Sequence, residues 1–204
     1  MNKLSSLEDL SLLRESFELE CKAAQGALGQ GEVPKDFWPT YSAMANAHGG
    51  FVILGLQEKS GVFTVIGLKD INKVRSDLFN NLNNAGKVSV NLLSDADAQE
   101  VILEGQAVLI LSIPQAPRKD KPVYLNGQPL GNTYRRLNDG DRKCDDSTVK
   151  RMLAEQVQDS RDTYICNRYG LNDIDLESLH AYRNQFASYK SGHCLLYTSD
   201  AADE

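Results

Sequence analysis

The stretch from residue 40 to residue 58 constrains the fold more than any other part of the chain. Its first half has small residues at helical spacing and ends in Gly49-Gly50, and its second half is the apolar run 51–54, closed by Gly55. Glycine tolerates the positive φ that ends many helices. A short bulky run between glycines favours a strand, because helices usually need ten or more residues. The stretch therefore predicts a closely packed helix that leads directly into a buried strand.

The composition is typical of a globular protein rather than a membrane protein or a disulfide-rich one. The 204 residues are 41% hydrophobic and 25% charged, with a mean hydropathy of −0.40. No apolar run approaches the roughly 20 residues that cross a bilayer, and the N-terminus lacks the apolar core of a secretory signal. The four cysteines show no CxxC spacing, which argues against a zinc ribbon and against a disulfide framework. We therefore expect a cytoplasmic protein with no membrane partner.

Hydrophobic periodicity predicts both strands and helices along the chain. From Phe17 to Lys22 apolar and charged residues alternate strictly, which indicates a half-buried strand. Further strands are predicted at 51–56, 62–67, 88–93, 100–104, 106–113, 123–125 and 134–137. Helices are predicted at about 4–14, 34–49, 71–85, 148–156 and 173–186, and Asp146-Ser147 is expected to cap the fourth of them. This succession predicts an α+β fold.

Charge is distributed unevenly along the chain. The formal net charge is −6, which alone disfavours nucleic acid, but residues 1–154 are nearly neutral, with 18 Lys+Arg and 19 Asp+Glu. Within 118–151, nine basic residues stand against five aspartates; the nine are Arg118, Lys119, Lys121, Arg135, Arg136, Arg142, Lys143, Lys150 and Arg151. A local positive field can attract phosphate even on an acidic chain. The alternative is an ordinary solvated charged face.

We divide the chain into three segments. Residues 1–156 are predicted to form the main domain, and 157–193 a linker and the start of a longer C-terminal extension. The last segment, 194–204, fits neither a helical nor a strand period and resembles the translated sequencing-adapter ends of assembled reading frames. We therefore expect it to be non-native and the natural protein to continue beyond His193. The alternative is a genuine disordered tail.

Three ordered stretches carry a family resemblance. They are 15–22 (ESFELECK), 43–58 (AMANAHGG with ILGLQE) and Lys121-Pro-Val-Tyr124 with Tyr134-Arg135-Arg136. The set resembles the Schlafen AlbA-like domain of bacterial transcriptional regulators. The resemblance implies an α+β fold with a mixed sheet and flanking helices, and a nucleic-acid-binding module. In longer relatives an ATP-binding-like region follows. This chain has no P-loop, so an ATP-binding regulator would need its nucleotide site in the region expected after His193.

Under the preferred hypothesis the protein binds DNA or RNA and needs no cofactor. The predicted phosphate contacts are Arg118, Lys119, Lys121, Arg135, Arg136, Arg142 and Lys143, with Tyr124 and Tyr134 as stacking residues for unpaired bases. The alternative for the arginines is that one of Arg135 and Arg136 pairs with a carboxylate inside the fold. Homo-oligomerisation is left open.

The alternative hypothesis is catalytic. Some animal Schlafen proteins cleave RNA with three acidic residues, and the resemblance suggests Glu15, Glu20 and Glu58 as the counterparts here, with Lys22 offsetting phosphate charge. Such a cluster would hold Mg²⁺ or Mn²⁺ and activate water as a metal-dependent endoribonuclease. The competing interpretation is a solvated or salt-bridged strand face. We prefer binding to catalysis because family membership does not fix the chemistry.

Overall fold

The computed structural model describes residues 19–24, 31–59, 62–137, 140–162, 173 and 175–190. The chain divides into two compact units, residues 1–162 and 163–204. The predicted helix at 4–14, the candidate residue Glu15 and the segment 194–204 lie outside the described residues. Within the described part of the chain, no helix has both the length and the apolar character needed to span a bilayer.

The strands of the first unit form one mixed sheet and two smaller antiparallel pairs. In the described residues they are β1 (Leu19–Lys22), β2 (Gly50–Leu54), β3 (Leu56–Lys59), β4 (Val62–Val65), β5 (Ala98–Leu103), β6 (Gln106–Ile113), β7 (Tyr134–Leu137) and β8 (Gly140–Lys143). The sheet has the order β1-β2-β6-β5, with β1 parallel to β2 and the other pairs antiparallel. β3 pairs with β4, and β7 with β8.

Helices accompany these strands and complete the predicted architecture. The first unit contains α1 (Phe37–Asn46), α2 (Ile71–Leu82) and α3 (Asp146–Asp162), and the second contains α4 (Leu176–Tyr189). Asp70 caps α2 by accepting a hydrogen bond from the Lys73 amide at 2.9 Å. The α+β fold with a mixed sheet and flanking helices is confirmed.

The apolar run of β2 is unbroken because the sheet is buried on both faces. Val52 and Leu54 belong to the larger core cluster beneath α1 and α2, whereas Ile53 belongs to a smaller cluster with Leu56 and Ile110. Alternate side chains of a strand point to opposite faces, and here both faces are covered. Hydrophobic alternation is therefore absent from the sequence of this strand.

The double glycine ends α1 as the sequence predicts. The Gly49 amide donates to the Met44 carbonyl at 2.9 Å, and its φ is +80°. A Cβ at this position would lie 2.5 Å from the carbonyl oxygen of Ile113 on β6. Only glycine fits here, because both the backbone angle and the close approach exclude a side chain.

The predicted strand 51–56 is interrupted at Gly55. Its φ of +94° turns the chain out of the main sheet, and a Cβ there would lie 3.2 Å from the carbonyl carbon of Gly67. The residues after the turn become β3, which pairs with β4 instead of continuing the sheet. The prediction of one strand through 56 was therefore wrong, although the predicted hairpin with the following strand is present.

The predicted strand 88–93 does not form, because side chains take up its backbone groups. The buried Tyr41 hydroxyl accepts from the Leu92 amide at 2.8 Å and donates to the Val90 carbonyl at 3.1 Å. Burial raises the pKa of Tyr41 to about 12, so this hydroxyl keeps its proton at neutral pH. The Leu93 amide donates to the Asn91 side chain. The predicted strand 123–125 is reduced to isolated bridges, Val88 with Leu125 and Tyr124 with Thr133.

α3 is longer than predicted and has a different cap. The Asp145 carboxylate, not Asp146-Ser147, accepts from the Thr148 amide at 2.8 Å. These hydrogen bonds, from Ser147 first and then from Thr148, lower the pKa of Asp145 to about 2. The helix continues to Asp162, so the predicted domain boundary at 156 lies inside it.

Candidate functional site

Two buried polar side chains of α1 hold the basic segment in place. Asn46 donates to the carbonyls of Val123 and Tyr134 at 2.8 and 2.9 Å, and accepts from the Val123 amide at 2.8 Å. Ser42, one turn earlier, donates to the Val123 carbonyl at 2.7 Å and accepts from the Tyr134 amide at 3.0 Å. Residues at i and i+4 lie on one helix face, so α1 fixes both the segment at Val123 and the start of β7.

The β7–β8 hairpin sorts the predicted basic residues onto two faces. The directly opposed pairs are Tyr134 with Lys143, Arg135 with Arg142, and Arg136 with Asp141. Because side chains alternate along a strand, Arg135 and Arg142 share one face while the other two pairs share the opposite face. Arg136 is turned inward, whereas Arg135 and Arg142 are exposed.

Arg136 is the centre of a nearly buried ion-pair network. Its guanidinium contacts Glu20 on β1 at 2.9 Å and Asp141 on β8 at 2.8 Å, and its side chain is 7% exposed. Lys22, also nearly buried, lies 3.4 Å from Glu20 and 2.9 Å from Asp36. The alternative that one of the two arginines pairs with a carboxylate inside the fold therefore describes Arg136.

The network keeps Arg136 charged and ties it to α1. Burial alone would lower the pKa of Arg136, but hydrogen bonds and negative charge from Asp141 and Glu20 raise it above its ordinary value. The Thr40 hydroxyl on α1 donates to Asp141 at 2.5 Å. Removing the guanidinium would leave two partly buried carboxylates without their main partner.

Two of the candidate catalytic residues, Glu20 and Lys22, belong to this ion-pair network, whereas Glu58 lies on β3. Glu20 and Lys22 are ion-paired, and Glu58 lies half-buried on β3 opposite Phe63. Among the described residues, no three or more His, Cys, Asp and Glu side chains are grouped so that they could hold a metal ion. Glu15 lies outside those residues, so the three-carboxylate cluster with Mg²⁺ or Mn²⁺ stays a prediction.

Lys121 lies near Arg135, which in turn is paired across the hairpin with Arg142. Burial lowers the pKa of Lys121, the positive charge of Arg135 lowers it further, and Glu155 opposes the shift. The Lys121 ammonium also donates to the Asn46 carbonyl at 3.0 Å, at the C-terminal end of α1 where positive charge is favoured. Within the described residues, neither Arg135 nor Arg142 forms an ion pair with a carboxylate. Lys121, Arg135 and Arg142 are called the outward basic group below.

The remaining predicted contacts, Arg118, Lys119, Lys143, Tyr124 and Tyr134, are distributed over several places. Arg118 and Lys119 are exposed on a short 3₁₀ turn, and the Lys119 carbonyl accepts from Gln156 of α3 at 2.6 Å. The Lys143 ammonium lies 6.0 Å from the ring centroid of Tyr134, on the face opposite Arg135. Tyr124 is half-buried. The predicted set thus includes exposed residues on more than one face, and Arg136 is not among them.

The sequence interpretation missed the residues that position the site. Ser42 and Thr40 appeared only as part of a small-residue helix, although each makes a hydrogen bond to the β7–β8 region or to the segment before it. The available signal was a pair of polar residues, Ser42 and Asn46, at i and i+4 on a mainly apolar helix. Their partners lie 77 to 92 residues further along the chain, so local patterns could not identify them.

Comparison with known families and structures agrees with the resemblance seen in the sequence. A family model described as Schlafen, AlbA_2 matches residues 15–145, and one described as a domain of unknown function (DUF8451) matches 150–202. Among solved structures, the N-terminal domain of a RecG-related protein from Nitrosomonas europaea is 27% identical, with 68% of this chain and 90% of that chain covered and a TM-score of 0.46. The DIP2311 protein from Corynebacterium diphtheriae is 20% identical, with 73% and 29% covered and a TM-score of 0.47. No curated protein matches the chain.

The first of these matches decides the family. It spans β1, the α1–β2 unit and the β7–β8 hairpin, which are the stretches that carry the resemblance. It also covers well over half of the 204 residues. The chain therefore belongs to the Schlafen AlbA_2 family.

Proposed function

We propose that this domain binds nucleic acid through the outward basic group, with Lys121, Arg135 and Arg142 contacting phosphates. The observation that carries the proposal is the direct cross-strand pairing of two exposed arginines. Like charges directly opposite each other destabilise a sheet, and no carboxylate within the described residues forms an ion pair with either arginine. A bound phosphate would relieve this repulsion.

The lowered pKa of Lys121 supports the same function. Its pKa is lowered because the ammonium is partly buried beside another cation. An incoming phosphate would favour the charged ammonium and form charge-assisted hydrogen bonds with it. Arg118 and Lys119 lie one turn earlier in the chain and would extend the contact. The finer proposal, supported by the family resemblance, is a DNA-binding module in a cytoplasmic transcriptional regulator.

The test is the salt dependence of binding by the variant Arg135→Ala/Arg142→Ala. Affinities for fluorescent duplex DNA, single-stranded DNA and RNA are measured by anisotropy between 50 and 200 mM salt. Each lost phosphate contact should reduce the slope of log K against log salt by about 0.7 to 0.9, so the double variant should lose roughly 1.4 to 1.8.

The matched control is Lys69→Ala/Lys73→Ala, which removes two exposed positive charges from the start of α2 and its approach. This control should retain most of the wild-type slope, because its charges lie outside the outward basic group. Equal slopes for both double variants would mean that only net charge matters, and the outward basic group would then not be the binding face.

A further inference from the structure

A small pocket with both cationic and aromatic walls lies beside the start of α1. Its volume is about 250 Å³, and its functional lining consists of Lys35, Trp38, Lys87, Asn126 and Tyr134. None of the described residues that line it is acidic. Small-molecule sites usually have volumes of roughly 300 to 1,000 Å³, so this pocket suits one compact group rather than a whole cofactor.

The two rings are held in position and already face cations. Trp38 packs edge-on against Phe37 with ring centroids 5.1 Å apart, and the Lys87 ammonium lies 5.2 Å from the Trp38 ring centroid. The half-buried Tyr134 has the Lys143 ammonium 6.0 Å from its centroid. Flat π-systems and anions both bind well to such a combination.

Backbone hydrogen bonds fix the far wall of the pocket. The backbone amide of Asn126 donates to the Lys87 carbonyl at 3.0 Å, beside the bridge between Val88 and Leu125. Asn126 and Gly127 have φ values of 57° and 69°, as a tight turn between antiparallel segments requires. The Asn126 side chain is exposed, so its amide can hydrogen-bond the edge of a base.

We propose that this pocket holds one unstacked nucleotide of a single-stranded nucleic acid. The base stacks on Tyr134, and Lys35 and Lys87 hold the adjacent phosphate. The proposal rests on the proposed function and adds the substrate class: a base in a duplex is paired and stacked, so it cannot enter the pocket. Tyr134 directly precedes Arg135 in β7, but the two side chains lie on opposite faces of the hairpin, so a flexible strand that contacts both must pass around the edge of these two strands.

The fluorescence of Trp38, which lines the pocket, can be used to detect binding there. Trp38 is the only tryptophan of the chain, so its fluorescence responds to occupation of this pocket. We expect quenching by a 12-nucleotide single strand but not by the same strand annealed to its complement. Base stacking on an aromatic residue is typically worth a factor of about 5 to 150 in affinity. Tyr134→Leu should therefore lower the ratio of single-strand to duplex affinity by that factor.

A second variant covers the case in which Tyr134→Leu does not fold. Lys87→Met keeps an apolar side chain over Trp38 and removes the ammonium, so the salt slope for single strands should fall by about 0.7. Lys69→Ala serves as the charge-matched control and should leave quenching unchanged.

The outcomes separate this inference from the proposed function. Single strands that bind by anisotropy without quenching Trp38, and with equal affinity for wild type and the pocket variants, would overturn the pocket and leave the outward basic group standing. Absence of any oligonucleotide binding at 50 mM salt would overturn both. Quenching by a free nucleoside monophosphate, without oligonucleotide binding, would overturn the assignment to a nucleic-acid strand.

Discussion

At the residue scale, two adjacent arginines have opposite surroundings. Arg136 is 7% exposed and pairs with Glu20 and Asp141, whereas Arg135 is exposed next to Lys121. The sequence could predict that one of the two is structural, because a strand turns consecutive side chains to opposite faces. It could not predict which one, since the deciding carboxylate of Glu20 lies 116 residues away in the chain.

We predict that Arg136→Ala lowers the free energy of unfolding by about 3 kcal/mol, near the lower end of the range for breaking a buried ion pair. The lower end applies because Glu20 is 29% exposed and water can reach it. Arg136→Lys should recover only part of the loss, because one ammonium cannot reproduce two guanidinium contacts. Arg135→Ala should change stability by less than about 0.5 kcal/mol. Urea unfolding of the three variants checks this, and equal losses for the two alanine variants would contradict the network.

At the element scale, α1 and β2 can be predicted from the local sequence. The conformation of the segment 88–93, which packs against α1, cannot. Gly49, Gly50 and the apolar run already mark the passage from helix to strand. The segment 88–93 looks like a strand in its composition, but Tyr41 from α1 takes two of its backbone groups. Such tertiary hydrogen bonds leave no local pattern in the sequence.

The prediction at this scale concerns Asn46, the last residue of α1. Asn46→Ala removes the hydrogen-bond partners of the Val123 amide and of the Tyr134 carbonyl, and the helix is otherwise unchanged. Buried backbone groups without partners each cost about 1 to 3 kcal/mol, so the loss of two partners should cost roughly 2 to 6 kcal/mol. Affinity for nucleic acid should fall as well, because the segment with Lys121 loses its anchor.

The control for this experiment is His48→Ala, an exposed residue just beyond the end of the same helix. It should change stability by less than about 0.5 kcal/mol. Chemical denaturation gives both values. If the two variants were equally stable, Asn46 would not be holding the basic segment to α1.

At the scale of the whole molecule, the net charge of −6 hides a more balanced first unit. Residues 163–204 contribute three of the 22 basic and six of the 28 acidic residues, so residues 1–162 carry a formal charge of −3. Composition alone therefore disfavours a phosphate ligand, while the local group of Lys121, Arg135 and Arg142 favours one. The fold class could be predicted from periodicity, but this gathering of cations depends on the register between β7 and β8.

We predict that the fragment 1–162 binds oligonucleotides more tightly than the full chain at low salt and equally at 150 mM salt. Removing a net charge of −3 reduces long-range repulsion of phosphate, and this repulsion extends about 30 Å at 0.01 M salt but only about 8 Å at 0.15 M. Anisotropy titrations of both proteins across this range, after confirming that the fragment unfolds cooperatively, measure the difference. A folded fragment that binds more weakly at every salt concentration would show that residues 163–204 contribute contacts to the ligand, because a purely electrostatic effect of the acidic segment has the opposite sign.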